Sequence, residues 1–239
     1  MEVLAVLGIT TILMSLMLPA LGRARDAGVR SLCLSRARNA ALLIQVYTTE
    51  SRDIYPYAGD ESRDGELAVG SGFRYRVGGV WGINHGLWTV MFPDAWEGDQ
   101  VGRGIRCPKQ PDHRHGAIAG VDPDAWPLTW YWLSAAFWLD GTRLKDGVDQ
   151  DGRRPKPNAA SDVTWPSAKA MIFEHAAACW RGPWDWWYIS GNAMPRTPLA
   201  VIMADGSGSR RVREDDAPGW RDSFAWHYTR DGVRGRDLK

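Results

Sequence analysis

The hydrophobic pattern divides the chain into an apolar rod and a punctuated remainder. From Val3 to Gly22 there are twenty residues without a charge, and a helix of that length rises about 30 Å, the thickness of a bilayer's hydrocarbon core. Beyond it, Val29, Leu32, Cys33, Ala37, Ala40, Ala41, Leu43, Val46 and Tyr47 recur at steps of three and four, the period of a helix with one apolar face. No proline falls between Gly22 and Ser51, so the two stretches predict one continuous rod of about fifty residues and about 75 Å. Residues 1–22 are expected in lipid, and 23–51 are expected to pack on a globular part formed by 52–239. Pro19 lies inside the rod and is predicted to kink or locally melt it, because it lacks a backbone donor and crowds the preceding turn.

After the rod, clusters of Gly, Pro and Asp at 60–72, 98–104 and 140–158 punctuate the chain as loops, with no long helical period between them. The fold class expected is therefore α+β, a long N-terminal helix packed on an antiparallel sheet. Strands are predicted at 73–77, 170–175 and 198–204, the last turning at Asp205-Gly206 into 209–213 as a hairpin. Residues 86–92 read as a short helix, and 129–138 fit either a strand or a helix.

Charge and composition narrow the function. With 29 Lys and Arg against 28 Asp and Glu, no electrostatic footprint for a nucleic-acid partner exists. Fourteen tryptophans, all after Gly79, supply flat side chains that either fill a core or stack on a ligand such as a sugar. Trp184, Trp186 and Trp187 are the candidates for the second use, although aromatic clusters beside Gly-Pro turns more often cover a core edge. Cys33, Cys107 and Cys179 leave one thiol over whichever pair forms, and which pair forms stays open.

Candidate chemistry is sparse. Cys107, His113 and His115 are close in sequence but fit no structural zinc spacing. Asp146, Asp149 and Asp151 before Gly152 fail the calcium-loop register, since Gly147 and Asn158 would stand where an acid and a bidentate Glu belong. Glu174 and His175 are adjacent and, on a strand, point to opposite faces. No nucleophile motif is present, so no catalytic residue, metal site or cofactor is expected.

Glu2 is the odd residue of the rod, an acid at the edge of an apolar segment where ionised carboxylates are costly unless paired. The stretch Glu2-Val-Leu-Ala-Val-Leu-Gly-Ile-Thr-Thr-Ile-Leu-Met-Ser-Leu-Met-Leu-Pro19-Ala-Leu resembles the N-terminal methylation segment of type IV pilins and type II secretion pseudopilins. Glu2 falls on that family's helix-opening glutamate, Pro19 on its helix-loosening proline, and the basic Gly-Arg-Ala-Arg that follows on its exit from the membrane. The resemblance implies that Glu2 neutralises the N-terminal amine of a neighbouring subunit, setting register as helices bundle into a filament. It implies other pilin-like subunits and inner-membrane lipid as partners. A prepilin peptidase is a further partner only if a leader with a cleavage glycine precedes Met1.

The remainder partly resembles the C-terminal domain of a bacterial pilin-like group marked by His, nine residues, then Asp-Gly. Cys33-Leu-Ser in the helix, Arg106-Cys107-Pro108, Pro166-Ser167 before an apolar strand ending in Glu174, and Met203-Ala-Asp205-Gly206 carry that likeness. Pro195 stands where the signature histidine belongs. Arg23, Arg25, Arg30, Arg36 and Arg38 follow the span, and a positive-inside count puts them in the cytoplasm. The resemblance implies the reverse, an inner-membrane protein with its globular part in the periplasm, and that orientation is the one expected here. The alternative function is a membrane-tethered binding module, with a carbohydrate as ligand, acting through exposed tryptophans.

Overall fold

The structure is a computed structural model that describes residues 2–56, 66–69, 73–76, 104–105, 108, 131–144, 156–174, 198–212, 215–219 and 226–238. Helix α1 runs from Glu2 to Glu50. Helical geometry continues through Pro19, so the expected local melting does not occur. The hydroxyls of Thr10, Thr11 and Ser15 donate to carbonyls three or four residues back, which satisfies them within the helix itself.

The rod ends at a tight cap. Ser51 N–H donates to Tyr47 O and Asp53 N–H reaches back five residues to Thr48 O, with Arg52 and Asp53 both in the left-handed region at φ 56° and 68°. This is the conformation in which helices commonly stop, usually on glycine. Ile54 then bridges to Ala159, and Tyr55 N–H donates to Asn158 O at 2.9 Å, tying the exit of the helix to the globular part.

Four strands form an antiparallel sheet in the order β3 (Tyr131–Leu133), β4 (Ala170–Glu174), β5 (Leu199–Met203) and β6 (Gly208–Arg211). A separate antiparallel pair joins β1 (Glu66–Val69) to β2 (Phe73–Arg76), with Val69 opposite Phe73. The sequence placed a loop over 60–72, and β1 corrects that. The four residues of β1 pair antiparallel with the four of β2, and that pairing is invisible to a reading that weighs only the flanking glycines and acids. The ambiguous run 129–138 resolves as both kinds of element, strand β3 followed by a 3-10 turn at Ala135–Phe137. The helix expected over 86–92 lies outside the described residues.

Strands β3, β4 and β5 are buried on both faces. Toward α1 the sheet presents Tyr131, Leu133, Ile172, Ala200 and Ile202, in one cluster with Cys33, Ala37, Ala40, Ala41 and Ile44 of the helix. On the other face Trp132, Phe173, Leu199, Val201 and Met203 pack with Trp226, and Leu238 near the C-terminus leans on them. An irregularity between Ala170 and Ile172 lets Met171 join the helix side too, as a bulge turns two successive residues one way.

Candidate functional site

The chemistry-bearing feature of this chain is the helix and the way its two halves differ. Every described large apolar residue from Val3 to Leu21 is exposed, at 54% to 73%. A contiguous apolar surface of that kind marks a membrane or an interface. By length and composition α1 can cross a bilayer, and none of its most apolar window is buried within the molecule. Glu2 is the first residue of this helix and Pro19 lies within its exposed half. Arg23 Nε donates to Pro19 O at 3.4 Å, one turn back.

From Cys33 onward the same helix carries a buried stripe of Cys33, Ala37, Ala40, Ala41, Ile44 and Thr48. The small side chains let the backbone approach the sheet closely, and polar ties hold the docked half. Tyr131 Oη donates to Cys33 O at 2.8 Å, Arg38 Nη2 to Gly208 O at 3.3 Å, and Gln45 Nε2 to Ala204 O at 3.3 Å. Gly208 is required by this contact, since a Cβ there would sit 2.5 Å from Ile202 Cδ1 and 3.1 Å from Arg38 Nε. The expected inward face is corrected at two positions. Leu32 and Val46 are 44% and 52% exposed and point away from the sheet, while Ile44, which the period reading missed, is fully buried. Steps of three and four fit several overlapping stripes, and only packing selects among them.

The Asp205-Gly206 pair stands at the turn between β5 and β6, against this helix. Asp205 Oδ1 accepts from Ser207 N–H at 2.9 Å, and Gly206 adopts φ +83° beside Gln45. Its local task is to turn the hairpin tightly enough for the helix to lie across it.

At the start of β4, Lys169, Thr229 and Asp237 form a fully buried polar cluster. Lys169 Nζ lies 3.2 Å from Asp237 Oδ2 and bonds Thr229, whose hydroxyl donates to Asp237 Oδ1 at 2.5 Å. Ala170 N–H completes the shell by donating to Asp237 Oδ2 at 2.9 Å. Burial pushes Lys169 down and Asp237 up, each toward its neutral form, against the attraction between them. Asp216 is held likewise, by a two-pronged bond from Arg211 and by Trp226 Nε1 at 2.8 Å. The contact with Asp216 raises the Arg211 pKa further.

Neither a known protein family nor a curated protein nor a solved structure matches this chain.

The remaining sequence candidates divide plainly. Glu174 is buried in β4 opposite Tyr131 and accepts Ala200 N–H at 3.2 Å, a strand-to-strand tie. His175, Cys107, His113, His115, Asp146, Asp149, Asp151, Gly152, Trp184, Trp186, Trp187 and Pro195 lie outside the described residues. Among the described tryptophans, Trp132, Trp138 and Trp226 are buried and Trp165 is half exposed under the Arg236 guanidinium. His227, unremarked in the sequence, accepts Ala135 N–H on Nδ1 at 3.1 Å within a ring of Trp132, Trp138, Phe173 and Tyr228. A shallow pocket between Asp140, Lys156, Asn158, Asp162 and Arg234 is occupied with its own bonding. There Asn158 donates to Leu139 O, Asp140 accepts from Thr142, and Arg234 pairs with Asp162. Among the described residues no group of three or more His, Cys, Asp or Glu is placed to hold a metal ion.

Proposed function

We propose that this chain is a non-enzymatic, pilin-like structural subunit. It is anchored in the inner membrane by the first half of α1, carries its globular part on the periplasmic side, and assembles with similar subunits through that helix. The observation that carries this reading is a single helix whose exposed apolar half continues without a break into a half clamped on a sheet. An anchor used only as a tether needs no rigid coupling to its domain. A filament subunit does, because register set between helices must pass to the domains. Glu2 supplies the register, its carboxylate neutralising a neighbour's N-terminal amine in a medium that penalises either charge alone. Cys33 is disulfide-bonded, which supports a domain that matures in an oxidising compartment.

Replacing Glu2 with Leu tests the reading. Membrane insertion should persist, since a charge unfavourable in hydrocarbon has been removed, while crosslinking between subunits in intact cells should fall to background. Crosslinking equal to that of the parent chain would sink the assembly role and leave a membrane-tethered binding module as the surviving function.

A further inference from the structure

The cluster at the start of β4 holds the parts of a condensation. Lys169 Nζ, a nucleophile once it loses a proton, lies 3.2 Å from Asp237 Oδ2 and 5.8 Å from the centre of the Phe137 ring, and both charged side chains are closed to solvent. The Thr229 hydroxyl touches both partners, accepting from Lys169 Nζ and donating to Asp237 Oδ1 at 2.5 Å. Ala170 N–H is aimed at the other carboxyl oxygen, Oδ2, at 2.9 Å. The backbone holds the two segments together: Asp237 N–H and Leu238 N–H both donate to Ala168 O, at 3.0 and 3.2 Å, and Ala217 N–H donates to Asp237 O at 2.8 Å. Fixing two reactants at this range in a water-excluded site turns an unfavourable encounter into a step within one molecule. Burial pushes the lysine down and the aspartate up, toward the amine and the acid that condensation requires.

We propose that Lys169 Nζ and Asp237 Cγ join in an isopeptide bond formed within the folded chain. The ammonium first passes a proton to Oδ1, giving an amine and an acid with no change in net charge. The amine lone pair then attacks Cγ, and Ala170 N–H holds the charge that develops on Oδ2. Thr229 takes a proton from the nitrogen as it hands its own to Oδ1. The Cγ–Oδ1 bond breaks and Oδ1 leaves as water, so one N–C bond replaces one C–O bond and nothing is oxidised or reduced. The product fastens the C-terminal segment to the start of β4 and closes a loop over 169–237, which restricts the unfolded chain as a disulfide does. This inference holds whether or not the helix assembles with others.

The test is peptide mapping by mass spectrometry of the full chain, purified in detergent, reduced and digested with trypsin. The expected product is 237–239 joined to the peptide that contains Lys169, lighter than the two together by one water and uncut after Lys169. Free 237–239 with ordinary cleavage after Lys169 would overturn the proposal and leave a buried ion pair. Asp237→Ala should abolish the joined product. Thr229→Val should slow its appearance after a pulse of synthesis by roughly 100-fold, the scale of a lost proton relay, and formation at the parent's rate would overturn that relay. If either variant fails to fold, the map of the parent chain still decides whether the bond exists.

Discussion

Two residues at the end of the helix make separable statements about stability. Arg52 is exposed and held at φ 56°, a conformation that costs a side-chain-bearing residue about 1 kcal/mol and glycine almost nothing. Arg52→Gly should therefore stabilise the fold by roughly 0.5–1 kcal/mol, read as a rise in the urea midpoint with unchanged slope. Tyr55, stacked edge-on against Phe137, has its phenol pushed up from 10.0 to about 12 by burial and, secondarily, by Asp53. A raised folded-state pKa means the stabilising form is the protonated one, fully present below pH 10 and lost as pH climbs toward 12. Across that window the fold should lose about 2–3 kcal/mol, and Tyr55→Phe should flatten the profile. A parent chain whose denaturation midpoint is level from pH 10 to 12 would contradict this.

At the scale of elements, the rod and the β5–β6 hairpin were legible and the seam between them was not. The uncharged run from Val3, the absence of proline after Gly22 and the Asp205-Gly206 turn are local signals, and local signals are what a sequence displays. Which residues of the second half face the sheet is a tertiary choice. Ile44 rather than Val46 is buried, in one cluster with Ile172, Ala200 and Ile202 of the sheet. Lys169 and Asp237 were equally unreadable, since two charges 68 positions apart reveal their partnership only when the C-terminal segment folds back over β4. The consequence is measurable. Ile44→Ala should cost about 2–4 kcal/mol, whereas Val46→Ala should stay within about 0.5 kcal/mol. Comparable losses at the two positions would mean the helix docks on another face.

For the whole molecule, the two halves of α1 should be separable by truncation. A chain beginning at Ala27 keeps the docked stripe and sheds the exposed apolar half, so it should be soluble, folded and monomeric. A chain beginning at Tyr55 uncovers the sheet face that Cys33, Ala37, Ala40 and Ile44 protect and should aggregate. Equal solubility and melting temperature for the two would refute the packed rod. Orientation is the larger question. Five arginines between Arg23 and Arg38 argue for a cytoplasmic domain by charge count, yet Arg38 is engaged with Gly208 of the sheet and is a weak witness to topology. The disulfide at Cys33 argues the other way. The most direct measurement fuses alkaline phosphatase, an enzyme active only where its own disulfides form, after Lys239 of the full-length protein in its native membrane. Phosphatase activity, with a dark fluorescent-protein fusion at the same point, is the expected result. An inactive phosphatase beside a bright cytoplasmic fluorescent fusion would contradict the anchored, outward-facing subunit.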